Sequence, residues 1–134
     1  MRTRAIKYIA VHCTAGNPKA TPEDVLAEFR SKGWRHPGYH YIVTADGKVH
    51  CLAPDVEIAN GVMGHNRYSI HVAWTGGMDG RDTRTEAQKA GLRTVLRILH
   101  AKYPEARIQG HRDFPGVRKT CPNFDAITEY RDLP

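Results

Sequence analysis

The order of local patterns along this 134-residue chain predicts a mixed α/β domain, with a central sheet of about five strands flanked by three helices. Three observations predict it. Short runs rich in β-branched residues are separated by segments of helical periodicity; an Asp-Gly pair joins two of the runs; and the two longer helical segments each open on a threonine. The length is that of one domain, and a composition of 40% hydrophobic and 25% charged residues is that of an ordinary globular protein.

The first run, residues 5–12, is apolar and ends in the polar stretch Cys13-Thr14-Ala15-Gly16-Asn17-Pro18, which predicts a buried strand with His12 at its C-terminal lip. Thr21 supplies a helix N-cap, Pro22 a first helical residue without a free N–H, and Glu23 and Asp24 the acids that favour a helix start. Gly33 supplies the stop, so the first helix is expected over 22–32 with Val25, Leu26 and Phe29 inward. Residues 39–44 and 48–52 flank Asp46-Gly47 and predict an antiparallel hairpin closed by a type I′ turn. After a glycine-bearing loop over 60–66, residues 69–75 form another apolar run. Thr85 with Gln88 makes a capping box for a long helix whose apolar stripe is Ala90, Leu92, Val95, Leu96 and Leu99. A short strand over 107–110 then delivers the chain to His111, and a last helical segment is expected over 124–131.

The net charge of +6 favours anionic partners without choosing among them. The basic residues are dispersed, the cluster Arg2, Arg4, Lys7 is short, and neither an Arg- and Asn-rich recognition helix nor a stacked aromatic platform is visible, which disfavours nucleic acid. No apolar run approaches the roughly 20 residues of a membrane span. The apolar segment near the start is too short for a signal peptide, so a cytoplasmic location as encoded is expected, and a monomer. Three cysteines at wide spacing argue against a disulfide framework.

Two histidines at strand ends, His12 and His111, and Cys121 ten residues beyond the second have the composition of a three-ligand zinc site with a fourth position open to water. The same residues also read as two buried polar histidines and an inert thiol, and spacing alone does not separate these alternatives. His36, His50 and His100 stand outside any motif and read as surface or edge histidines.

Six motifs in order supply what spacing lacks: Val11-His12-Cys13-Thr14, Gly38-Tyr39-His40-Tyr41-Ile42-Val43 with Asp46-Gly47, Asn66-Arg67-Tyr68-Ser69-Ile70, Gly76-Gly77, Gly110-His111-Arg112-Asp113, and Lys119-Thr120-Cys121-Pro122-Asn123-Phe124-Asp125. Together they resemble the N-acetylmuramoyl-L-alanine amidase type 2 family, which includes phage lysozyme-type zinc amidases and peptidoglycan-recognition proteins. The resemblance implies one zinc ion held by His12, His111 and Cys121, catalytic roles for Tyr39 and Lys119, and hydrolysis of the amide between N-acetylmuramic acid and L-alanine. It implies a peptidoglycan or muropeptide substrate, with His65, Asn66 and Thr14 as candidate substrate contacts, and action on the bacterial cell wall after release or export. The alternative is a non-catalytic peptidoglycan-binding or regulatory domain; recognition-only relatives commonly lack the cysteine that is present here. Two departures stand out. Many relatives carry a histidine in the loop before Asn-x-x-Ser-Ile and a glycine after the Ile, whereas here the loop reads Asn60-Gly61-Val62-Met63-Gly64-His65 and His71 follows Ile70.

Overall fold

The computed structural model describes residues 4–134, so Arg2 of the basic cluster lies outside the described residues. Five strands form one mixed sheet, β1 (Tyr8–Cys13), β2 (Tyr41–Val43), β3 (Val49–Cys51), β4 (Ser69–Trp74) and β5 (Arg107–Gly110), in the order β3-β2-β4-β1-β5. β1 lies between β4 and β5 and runs parallel to both, β2 is parallel to β4, and β3 is an antiparallel edge. The helices are α1 (Pro22–Ser31), α2 (Glu86–Lys102) and the single turn α3 (Ala126–Glu129).

Alternation along the strands divides the chemistry between the two faces of the sheet. Ile9, Val11 and Cys13 of β1 and Ile70, Val72 and Trp74 of β4 join Leu92, Val95, Leu96 and Leu99 of α2 in the main core. The opposite face carries Ala10, His12, His71 and Ala73, in register across the two strands, with Ala10 beside His71 and His12 beside Ala73. α1 covers part of that face through Val25 and Phe29 against Ile42.

Both helix starts follow their threonines. Thr21 accepts from Asp24 N–H while the Asp24 carboxylate returns to the Thr21 N–H, and Gly33 at φ +76 follows the end of α1. Thr85 and Gln88 make the reciprocal pair for α2. Gln88 does more than cap. Wholly buried, its amide donates to the carbonyls of Val43 at 3.3 Å and Thr75 at 2.9 Å, tying the start of α2 to the ends of β2 and β4.

Four expectations are corrected. The hairpin exists, but its turn is not type I′: that turn needs φ > 0 at both central residues, and here only Gly47 is left-handed, at +85. Gly47 N–H bonds Thr44 O and Thr44 N–H bonds Lys48 O, which is a three-residue connection with glycine at the bulge. β2 starts at Tyr41, so Tyr39 precedes the strand. Ala90 is exposed, because the inward stripe of α2 runs through Gln88, Leu92, Val95, Leu96 and Leu99. The last helix is four residues rather than eight, begun by Asp125.

Candidate functional site

Parallel strands of an α/β sheet present their C-terminal ends to a crevice, the usual ligand position in such folds. β1 and β5 pair with Val11 opposite Gly110, so the next residues, His12 and His111, emerge side by side. Their Nδ1 atoms stand 3.2 Å apart. Cys121 arrives from the loop after His111. Gly110 makes room for it: a Cβ there would meet Pro122 Cδ at 2.5 Å, so a side chain would push the Cys121 loop away. The Cys13 N–H donates to Cys121 Sγ at 3.1 Å. One donor atom from each of His12, His111 and Cys121 lies within 4.8 Å of the others.

These residues fit a metal on chemistry as well as position. Two nitrogens bound tetrahedrally to one zinc at about 2.0–2.1 Å stand about 3.3 Å apart, close to the spacing here. Burial holds the His12 imidazole well below its ordinary value, with His71, His111 and Lys119 adding to the effect. Burial and then Lys119 bring His111 down to about 4. Both rings are therefore neutral at pH 7 and keep a lone pair for a cation. The Cys121 thiol is pushed well above the ordinary thiol range, first by its hydrogen bond with Cys13 and then by burial, so it keeps its proton until a cation displaces it. The backbone N–H aimed at the sulfur favours the thiolate that would remain.

The donors open on a cleft of about 170 Å³ lined by Thr14, Tyr39, Gly61 and Lys119 among others. A groove of about 610 Å³ continues from it past Trp34, Arg35, Asn60 and Met63, sharing His111 and Lys119. Trp34 lies flat on Phe29, rings 7° apart with centroids at 5.3 Å, and Lys32 sits over it. Tyr39 packs its ring 5.2 Å from that of His12 and its hydroxyl donates to Cys13 O at 3.4 Å. Burial first, then the neighbouring thiols, raise the Tyr39 phenol above its usual range, so it holds its proton at neutral pH. Lys119 is exposed at the wall of both cleft and groove.

The three residues named as substrate contacts part company. Thr14 lines the cleft, with its hydroxyl accepting from Gly76 N–H at 2.9 Å. Asn66 lines the groove, but its amide oxygen is turned inward to Val62 N–H at 2.8 Å and His71 Nε2 at 2.9 Å. His65 packs its ring against Phe114 and Tyr8 and is not among the residues lining cleft or groove. Sequence reasoning missed Trp34 and Asn60 on the groove wall, for which no local signal exists. It noted His71 only as a departure from the family pattern, and Gly61 only as part of a loop that departs from it.

Fold and site together define a class: an α/β protein with three possible metal donors gathered on an open cleft at the C-terminal ends of parallel strands. The chain belongs to the N-acetylmuramoyl-L-alanine amidase family, whose model matches residues 2–124. It is 32% identical over 123 residues to an endolysin of Escherichia phage T7, covering 87% of this chain and 80% of the relative. It is 34% identical over 125 residues to an endolysin of Klebsiella phage KP32, with the same coverage of 87% and 80%. Among solved structures it resembles the Ph2119 endolysin from a Thermus scotoductus bacteriophage, with a TM-score of 0.82 at 29% identity over 91% of this chain and 80% of that one.

Proposed function

We propose that this protein hydrolyses the amide between the lactyl group of N-acetylmuramic acid and L-alanine in bacterial peptidoglycan, using one zinc ion held by His12, His111 and Cys121. The observation that carries the reading is the convergence of two neutral imidazoles and one thiol on the floor of an open cleft, in a chain of this family. Zinc, when bound, supplies Lewis acidity and a nucleophilic water at neutral pH. The chain's own groups do the rest. The Lys119 ammonium, on the cleft wall, stabilises the negative charge that develops on the scissile carbonyl oxygen. Tyr39, which keeps its proton at neutral pH, is suited to donate to the departing nitrogen rather than to act as a base. The groove beyond, with Trp34 as a flat apolar wall and Arg35 and Lys119 as cations, matches a substrate that joins a sugar to a carboxylate-bearing peptide. One chain supplies every residue, so a monomer suffices.

The test is mass spectrometry of purified peptidoglycan after digestion with zinc-loaded protein. Free stem peptides with a new amino terminus, and their disappearance on chelation, are expected. Glycan fragments or peptide-internal cuts would replace this assignment with glycosidase or endopeptidase activity, and retention of muropeptides without any release would make the protein a recognition module.

A further inference from the structure

Behind His12 lies a chain of polar atoms that passes through His71, a residue outside the family's motifs. It starts at Asn66. The Val62 N–H donates to Asn66 Oδ1 at 2.8 Å, which identifies that atom as the oxygen and fixes the orientation of the amide. The same oxygen is 2.9 Å from His71 Nε2, so Nε2 must carry a proton. A neutral ring protonated at Nε2 has its lone pair on Nδ1, and His71 Nδ1 is 2.9 Å from His12 Nε2. His12 must then be protonated at Nε2. Its Nδ1 is left as a lone pair, and that is the atom facing His111.

Two surrounding features keep the chain in one direction. His40, stacked on His71 with rings 7° apart, accepts the His71 backbone N–H on Nδ1 at 2.9 Å and points Nε2 at Glu57 O at 2.7 Å, so it does not compete for the His71 ring. Gly61 leaves the space in which that ring lies: a Cβ at 61 would sit 2.2 Å from His71 Nδ1. A residue with any side chain at 61 and an imidazole at 71 exclude each other. The loop that departs from the family pattern therefore meets, at Gly61, the other departure, His71.

We infer that His71 and Asn66 are positioning residues for metal binding, which through the directed chain Val62 N–H, Asn66, His71, His12 lock the His12 ring in the tautomer whose Nδ1 lone pair faces the metal. The inference rests on the reading of His12, His111 and Cys121 as the metal ligands. Such outer partners raise ligand basicity and fix ring orientation, and their loss typically lowers metal affinity by about 10–100-fold.

The experiment uses the full chain and two readouts that do not depend on activity. Long-range proton–nitrogen correlation spectra of the metal-free wild type at pH 7.5 should give His12 an Nε2 of the protonated type and an Nδ1 of the unprotonated type. Zinc dissociation constants from chelator competition are then compared among Asn66→Asp, which keeps the acceptor, Asn66→Leu, which removes it at similar volume, and His71→Phe, which keeps the ring without nitrogens. Asn66→Asp should bind zinc within about threefold of wild type, and Asn66→Leu and His71→Phe about 10–100-fold more weakly. A wild-type His12 protonated at Nδ1 overturns the inference even if no variant folds, as does wild-type affinity in folded His71→Phe. A wild type that holds zinc yet releases no stem peptide would sink the amidase proposal and leave this one standing. Normal cleavage with unchanged affinity in Asn66→Leu would do the reverse.

Discussion

Replacing Arg84 by Ala tests whether the Cys121 loop is braced from behind. The Arg84 side chain is 2% exposed and forks onto two carboxylates, with Nη2 at 2.9 Å from Asp82 Oδ2, Nη1 at 2.6 Å from Glu129 Oε2 and Nε at 2.9 Å from Asp82 Oδ1. Its guanidinium lies 3.4 Å over the ring of Phe124, three residues beyond Cys121. Removing one member of a wholly buried pair costs about 3–5 kcal/mol, but Asp82 and Glu129 keep 32% and 36% side-chain exposure and regain water. Discounting for that hydration and adding about 1 kcal/mol for the lost contact with the ring gives about 2–3 kcal/mol. For a domain of this size that is a fall in Tm of about 7–10 °C. Thermal and urea unfolding of metal-free protein measure it, with Arg84→Lys recovering part of the loss because it keeps the charge without the fork. The pH dependence supplies a second check. Hydrogen bonding from Arg84 is the leading cause that holds the Asp82 carboxyl below its usual value. Its contribution is therefore complete above about pH 4 and is lost as pH falls through the folded value. That acid-side loss should shrink in the variant. A Tm within 2 °C of wild type, or an unchanged acid limb, would refute the brace.

Other expectations follow from the same geometry. Zinc binding at pH 7 should release at least one proton, from Cys121, because both imidazoles are already neutral, with any further release coming from water on the ion; calorimetry in buffers of different ionisation enthalpy counts it, and release of none would contradict the assignment. Lys119→Ala should lower kcat by about a hundredfold or more while zinc content stays at one per chain, whereas a loss of metal would recast Lys119 as structural. Gly110→Ala should weaken zinc binding without touching a ligand, since the new methyl displaces Pro122 beside Cys121; unchanged affinity would mean that the loop yields.

Much of the fold was legible because its signals are local. The two threonine caps, the stop at Gly33 and the Asp46-Gly47 joint each act within four residues. The turn type was misjudged because Asp-Gly suits both the two-residue and the bulged connection, and which one forms depends on where Thr44 pairs with Lys48. The gathering of His12, His111 and Cys121 was nameable only through the family's motifs, since the pairing of β1 with β5 joins residues 99 apart. What escaped is what depends on distant partners. Arg4 read as one of a basic cluster, yet its guanidinium clamps the carbonyls of Asp55, Asn66, Arg67 and Ser69 and so pins the turn that carries Asn66. Gln88 read as a cap, and its bracket onto Val43 and Thr75 has no sequence signature.

The same sheet predicts how the protein responds to a chelator. Where a domain has little core, metal binding is folding and a chelator unfolds it. Here the main core of Ile9, Val11, Ile70, Val72, Trp74, Leu92 and Leu96 is on the α2 side of the sheet, while His12 and His111 project from the other face or from beyond the strand end. The donors are also held by the protein itself, His12 through His71 at 2.9 Å and Cys121 through the Cys13 N–H at 3.1 Å. Chelation should therefore abolish hydrolysis and leave the amide spectrum dispersed, with changes concentrated at residues around the cleft. Stability should rise with free zinc as mass action requires, by about 2.7 kcal/mol at a hundred times the dissociation constant, or about 10 °C in Tm for a domain of this length. Collapse of spectral dispersion on chelation would mean that the register of β1 against β5 depends on the ion, and that the cleft is built by the metal instead of being ready for it.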